Sequence, residues 1–414
     1  MKILQVSTEN HSGGAGIAAY RLHKGLRSLG VDSRMLVSRK GCPDPTVHAP
    51  ESTLDKLMAR LGPLLDRIPG RLSATPEARL SSSWVPNRLL YNINGLECDL
   101  VNLHWVNDGF MRIEALPGIR KPVVWTLHDM WAFAGGEHYV GDSTRYKEGY
   151  SAVNRPADDT GLDINRWIWK RKKKAWAGLE NVTIASPSRW LAACAAESAL
   201  FKDFRVEVLP NGVDHKRFTP IDHATVRNIL GLPTDKKLIL FGAVSATSDN
   251  RKGYHLLLET LYKFEQRVGP DEYELVVFGA SGANTTFKMK AHFLGTLHDE
   301  ISMALVYAAA DVFLAPSLED NLPNTVLESL SCGTPVVAFD IGGMPDMVVH
   351  RHNGYLARRY DTTELAEGLH WVVADEIRRE KLASAARKTV LDAFTLDMAA
   401  GRYLALYEDL LYSR

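Results

Sequence analysis

The sequence predicts an α/β protein made of two Rossmann-like, doubly wound parallel-sheet domains facing across a cleft. Three observations predict it. Short apolar runs such as LILFG, LVVFG and DVFLAP alternate with segments of helical periodicity, the pattern of βαβ units. Those runs are apolar throughout, as strands covered on both faces are. The chain of 414 residues breaks at Leu209–Pro220, where Pro210, Asn211, Gly212 and Pro220 punctuate it, and a fresh βα series starts at Lys237.

The elements follow in order. In the first half, strands are expected at Ile3–Val6, Ser33–Val37, Leu100–His104, Val123–Leu127 and Val182–Ala185. In the second half they are expected at Leu238–Gly242, Glu274–Phe278, Val312–Ala315 and Val336–Phe339. Helices are expected at Ile17–Leu29, at Tyr254–Arg267 and from about Pro323 to Gly333, where Pro335 ends the run. Two stretches break the pattern. Leu54–Leu72 is amphipathic, with Leu54, Leu57, Met58, Leu61 and Leu64/Leu65 on one stripe, Lys56, Arg60 and Arg67 elsewhere, and Pro69 as its stop. Asp129–Asp163 has little periodicity, and a loop that long is usually functional or disordered.

Composition excludes several classes. Lys+Arg and Asp+Glu both number 49, so no charge excess favours nucleic acid. No run reaches the ~18 apolar residues of a spanning helix. The start, MKILQVS, reads as a strand and not as a signal peptide. Cys42, Cys98, Cys194 and Cys332 are scattered, with no zinc or disulfide spacing, which fits a reducing cytoplasm.

Five motifs bear on chemistry. Gly13-Gly14-Ala15-Gly16 opens a helix after the first strand, where free N–H groups and bare backbone suit an anion. Gly14-x-Gly16-x-x-Ala19, with Arg39 and Lys40 after strand two, also fits an NADP fingerprint. His128 ends a strand in Thr126-Leu127-His128-Asp129, the end at which α/β sheets bind ligands. There it can donate to a sugar hydroxyl or stabilise developing charge; His104, ending the neighbouring strand, reads as structural. Arg251-Lys252-Gly253 sits at a strand-to-helix junction, the place for a diphosphate clamp. Asp320 precedes a helix and Glu328 lies more than one turn inside it, so the pair suits hydroxyls at two ends of an extended ligand with phosphates between. Finally, Lys170–Lys174 is basic and flanked by Trp167, Trp169 and Trp176. It suits an anionic membrane or a phosphorylated acceptor, or equally a solvated helix face with its Trp packed inward.

In this order the motifs resemble the retaining glycosyltransferases of family 4, of GT-B architecture, and among them the polysaccharide-assembly enzymes of the colanic-acid type. The resemblance rests on the motifs above, on Pro210-Asn211-Gly212-Val213-Asp214, on Asp311–Val337, and locally on HDMWAFAGGEHY. It implies a nucleotide-diphosphate sugar as co-substrate, with no other cofactor and no metal. The acceptor would be a glycan or a lipid-linked acceptor in cell-envelope or extracellular polysaccharide synthesis. The enzyme would be cytoplasmic, with possible peripheral contact to the inner face of the membrane and no nucleic-acid partner. It also implies that the last helix returns to the N-terminal domain, giving an acceptor-side domain of 1–210 plus 394–414 and a nucleotide-sugar domain of 211–393. Carried over by position, His128, Lys252 and Asp320 are catalytic. Gly14, Gly16, Arg251, Asn321, Leu322, Thr325 and Glu328 bind the donor, with Glu328 on the ribose and Lys252 on the diphosphate. Three positions depart from the family pattern: Asp320 replaces a Glu, Ala243 an Arg, and Pro323 a Gly. Two rival readings stand beside this one: an NADP-dependent oxidoreductase, and a non-catalytic sugar-nucleotide binder.

Overall fold

The structure, a computed structural model, describes residues 1–72, 80–157, 159–242, 249–269, 271–279 and 288–412. The chain divides into two units, Met1–Pro210 with Ala399–Arg414, and Asn211–Met398. In the first, strands β1 (Lys2–Glu9), β2 (Asp32–Arg39), β3 (Val47–His48), β4 (Leu100–Leu103), β5 (Val123–Thr126), β6 (Val182–Ser186) and β7 (Val206–Val208) form one parallel sheet in the order β3-β2-β1-β4-β5-β6-β7. In the second, β8 (Lys237–Gly242), β9 (Tyr273–Phe278), β10 (Ala291–Phe293), β11 (Val312–Ala315), β12 (Val336–Phe339) and β13 (Gly354–Ala357) form another in the order β10-β9-β8-β11-β12-β13. Both orders are doubly wound, so each sheet has a switch point, between β1 and β4 and between β8 and β11.

All nine expected strands form. The four that the sequence did not signal, β3, β7, β10 and β13, are the outer strands of the two sheets. Their residues are partly exposed or few, as in Val206–Val208 and Ala291–Phe293, so no apolar run marks them. A second difference is in 129–150, which packs several aromatic side chains inward. Trp131, Phe133, Tyr146 and Tyr150 are buried in the first unit's core, Arg145–Glu148 is helical, and Arg145 bonds Asp163 at 2.8 Å.

The amphipathic segment forms the helix Thr53–Asp66, with Ser52 accepting the Asp55 N–H as its cap. It ends three residues before Pro69, which instead begins a short 3₁₀ turn to Leu72. Its stripe faces outward: Leu54 is 57% exposed, Leu57 50%, Leu61 40% and Leu64 59%.

The basic run corrects one expectation. Helix Ile164–Ala175 does not present Lys170–Lys174 as one solvated face. Lys172 is fully buried. Its ammonium bonds the carbonyls of Trp131, Ala134 and Gly135 and lies 3.8 Å from the Trp131 ring centroid. Burial pulls its pKa well below the usual lysine range, against the opposing pull of Glu137 and Asp129. Arg171 donates to Glu114 and to the carbonyls of Ser82 and Ser83. Lys172 is therefore unavailable to a membrane, while Lys170, Lys173 and Lys174 remain exposed.

Candidate active site

The second unit gathers its candidates at the carboxyl ends of β8 and β11, its switch point. After β8, Asp249 caps a short turn, Asn250–Lys252, by accepting the Arg251 N–H. Lys252 Nζ donates to Asp320 Oδ2 at 2.6 Å, and Arg251 Nη1 lies 3.4 Å from the same oxygen. Arg251 also donates to Asp249 Oδ2 at 3.1 Å and to the Glu319 carbonyl at 2.9 Å. Burial raises the Asp320 carboxyl, but Lys252 and Arg251 outweigh it and hold the group below the usual carboxylate range. The cluster thus sets two cations, Lys252 and Arg251, against two carboxylates, Asp320 and Asp249.

Two glycines make this packing possible. Gly253 ends the turn at φ +70°, and a Cβ there would stand 1.8 Å from the Pro316 carbonyl oxygen. Gly342, after β12, has φ +51°, and its Cβ would meet the Asp320 carbonyl at 2.0 Å; Gly343 N–H bonds that carbonyl at 3.1 Å. The Asp320 backbone is therefore seated on Gly342-Gly343, residues the motif reading overlooked. A Gly-Gly pair two residues after a strand was the available signal.

Pro323, which has no side-chain cap bond to offer, precedes helix Asn324–Ser331. A helix N-terminus is a place that favours anions. Asn321 and Leu322 are buried beside it, and Thr325 is half-buried. Glu328, one turn in, is buried and accepts from the Tyr307 hydroxyl at 3.1 Å. Tyr307 is a further residue that the sequence did not single out. Ala243 lies outside the described residues.

The first unit brings together a different set at the ends of β1, β4 and β5. His128 Nε2 lies 3.1 Å from His104 Nδ1, and His104 Nε2 lies 2.7 Å from Gln5 Oε1. Burial lowers both imidazoles, His104 well below the usual range and His128 to about 4, so both are neutral near pH 7. Asp129 accepts from His138 Nδ1 at 2.6 Å, Trp105 Nε1 at 3.0 Å and the Trp131 N–H at 2.9 Å, which fixes the backbone next to His128. Gly14 is exposed at the start of helix Gly13–Ser28, and Gly16 is buried against β1, with the Glu9 carbonyl 2.9 Å from where its Cβ would be. Gly16 therefore has a packing reason independent of any ligand. Arg39, which the NADP reading needs, is paired with Glu9 and approaches Asp108 at 3.8 Å.

Comparison with known proteins defines the class. Residues 12–217 match the family described as Glycosyltransferase Family 4, and residues 235–375 the one described as Glycosyl transferases group 1. The chain thus carries, in order, the two domains of a glycosyltransferase. It is 28% identical to a D-inositol 3-phosphate glycosyltransferase of Xylanimonas cellulosilytica over 96% of this chain and 91% of that one. It is 31% identical to the protein of that name in Stackebrandtia nassauensis over 51% and 50%. Among solved structures it resembles the sucrose-phosphate synthase of Thermosynechococcus elongatus (TM-score 0.67, 18% identity, 100% of both chains). It also resembles HepE of Anabaena in complex with UDP-glucose (TM-score 0.66, 17% identity, 99% of this chain and 100% of that one). At these identities the structural likeness is one of fold, the GT-B fold of two Rossmann-like parallel-sheet domains.

Proposed function

We propose that the protein transfers a sugar from a nucleotide-diphosphate sugar to an acceptor hydroxyl, with retention at the anomeric carbon and without a metal. The observation that carries this reading is the Lys252–Arg251–Asp320 cluster at the switch point of β8 and β11, beside the start of helix Asn324–Ser331. Two cations beside a helix N-terminus suit a diphosphate. They stabilise the leaving group as its charge grows, which is where enzymes gain most. Glu328, one turn deeper, takes the ribose hydroxyls. Asp320 and His128 take sugar hydroxyls. Among the candidate residues none is placed as a nucleophile, so attack comes from the face of the departing diphosphate, whose oxygen takes the acceptor proton.

For the acceptor, the relatives named for D-inositol 3-phosphate support a small phosphorylated polyol. The outward leucine stripe of helix Thr53–Asp66, with Lys56 and Arg60 beside it, supports a glycan built on a lipid carrier at the inner face of the cytoplasmic membrane. Thermal denaturation with UDP-, GDP- and ADP-sugars tests the donor: a ligand at 100 times its Kd stabilises by ~2.7 kcal/mol. Release of nucleotide diphosphate, first alone and then with inositol phosphate or a lipid-linked acceptor, tests the transfer. NMR of the product's anomeric centre tests retention. Stabilisation by none of these donors overturns the reading.

A further inference from the structure

The side chains of Gln5, Asn102, His104, Thr126 and His128 alternate onto one face of the first sheet, by the two-residue period of their strands. Gln5 and Asn102 sit opposite each other on β1 and β4. The covering element is the C-terminal helix, which supplies Tyr403 and Tyr407 to the same buried cluster. Tyr407 Oη accepts from Asn102 Nδ2 at 2.8 Å and from Gln5 Nε2 at 3.5 Å. Thr126 Oγ1 donates to Asn102 Oδ1 at 3.0 Å and meets Tyr403 Oη at 3.1 Å. Tyr407, Asn102, Thr126 and Tyr403 are thus joined in a hydrogen-bonded chain, and the amide nitrogen of Gln5 is turned toward Tyr407.

That orientation fixes protons further along. With its nitrogen on Tyr407, Gln5 presents only Oε1 to His104, and a carbonyl oxygen only accepts. His104 Nε2 must then carry the proton. A neutral imidazole has one donor and one acceptor nitrogen, so His104 Nδ1 holds a lone pair. His128 Nε2, 3.1 Å away, must donate to it. We infer that Tyr407, Gln5 and His104 are positioning residues that hold His128 in the Nε2–H tautomer, so that its Nδ1 faces substrate and accepts a hydrogen bond from a sugar hydroxyl. This deepens the reading in which His128 meets the donor sugar, and it reverses the polarity that the sequence suggested. It also makes the C-terminal helix part of the sugar site, through side chains far from it in sequence.

The test is a long-range 15N–1H spectrum of the full chain with 15N-labelled histidine at pH 7.5, without ligand, His128 being assigned by its loss in His128→Ala. The expected wild-type spectrum shows His128 as a single Nε2–H tautomer. Tyr407→Phe frees the Gln5 amide and Gln5→Leu removes it, and each should give a mixture of tautomers. In the donor-consuming assay, Tyr407→Phe should lower kcat about tenfold, the scale of one hydrogen bond of ~1.4 kcal/mol, with donor KM little changed. A wild-type His128 protonated at Nδ1 overturns the relay. So does an unchanged His128 signal in Tyr407→Phe, the milder variant, with the fold confirmed by circular dichroism. The expected spectra combined with normal turnover by His128→Ala uphold the relay and overturn instead the placement of His128 at the sugar.

Discussion

Lys252 and Asp320 are 68 positions apart in sequence and 2.6 Å apart in space, nitrogen to oxygen. The contact joins the loop after β8 to the loop after β11, so the two strands flanking the switch point deliver one cation and one anion to a single place. Arg251 adds a second cation to the same carboxylate.

Lys252→Ala removes the cation nearest to that carboxylate and leaves Arg251 to balance it. The expected outcome is a fall in kcat/KM of about 100-fold or more, the scale of losing one stabiliser of developing charge, with the fold retained. Steady-state release of nucleotide diphosphate measures it, and near-normal kinetics would place the clamp elsewhere.

Glu328 is assigned to a ribose, which does not change during the reaction, so its contribution is the same in ground and transition states. Glu328→Gln is expected to raise the donor KM more than it lowers kcat. The reverse split, measured on the same assay, moves Glu328 into the chemistry.

Gly253→Ala and Gly231→Ala form a matched pair. Both glycines have positive φ, +70° and +65°, but nothing lies within 4 Å of a Cβ at Gly231, whereas at Gly253 the Pro316 carbonyl does. The αL conformation alone costs ~1–2 kcal/mol. Gly231→Ala should lose about that much stability, and Gly253→Ala distinctly more together with activity. Equal denaturation midpoints for the two variants would show that the turn does not press on Pro316.

Acid should destabilise the protein before its carboxylates titrate. Burial lowers His23 and His128 to about 4 and His104 well below the usual range. Between about pH 4 and the unfolded histidine value near 6.5, the unfolded state binds protons that the folded state does not. Stability is therefore full above about pH 6.5 and declines as pH falls toward 4. Asp320, held low by its cations, adds a later loss, because its contribution disappears as pH falls through its folded value. Urea midpoints from pH 7.5 to 4.5 check the sign: a midpoint that rises on acidification contradicts it.

The proposed membrane contact uses helix Thr53–Asp66 and the exposed cations Lys173 and Lys174. Sedimentation with anionic vesicles should be salt-sensitive, and Leu57→Glu or charge reversal at Lys173 and Lys174 should weaken it. Lys172→Glu should instead impair folding, since it sets a carboxylate against three carbonyls. Wild-type protein that stays in the supernatant at low salt sinks the contact and favours a soluble acceptor.

The nine central strands were legible because a strand covered on both faces must be apolar at nearly every position, and that leaves a run in the sequence. The candidate loops were legible for a related reason: Arg251-Lys252-Gly253 and Asp320–Glu328 follow directly on such runs, and parallel sheets present ligands at those ends. Gln5, Asn102 and Thr126 left a fainter mark, as polar residues inside otherwise apolar strands, on the face that the last helix covers. The sequence by itself thus determined the class of fold and which loops lie at the strand ends. The tertiary structure decided the outer strands, the burial of Lys172 within a run of five cations, the seat of Asp320 on Gly342 and the partner of His128. Burial and hydrogen-bond polarity depend on which distant segment closes over a residue. Gln5 meets Tyr407 across 402 positions, and no local pattern records such a contact.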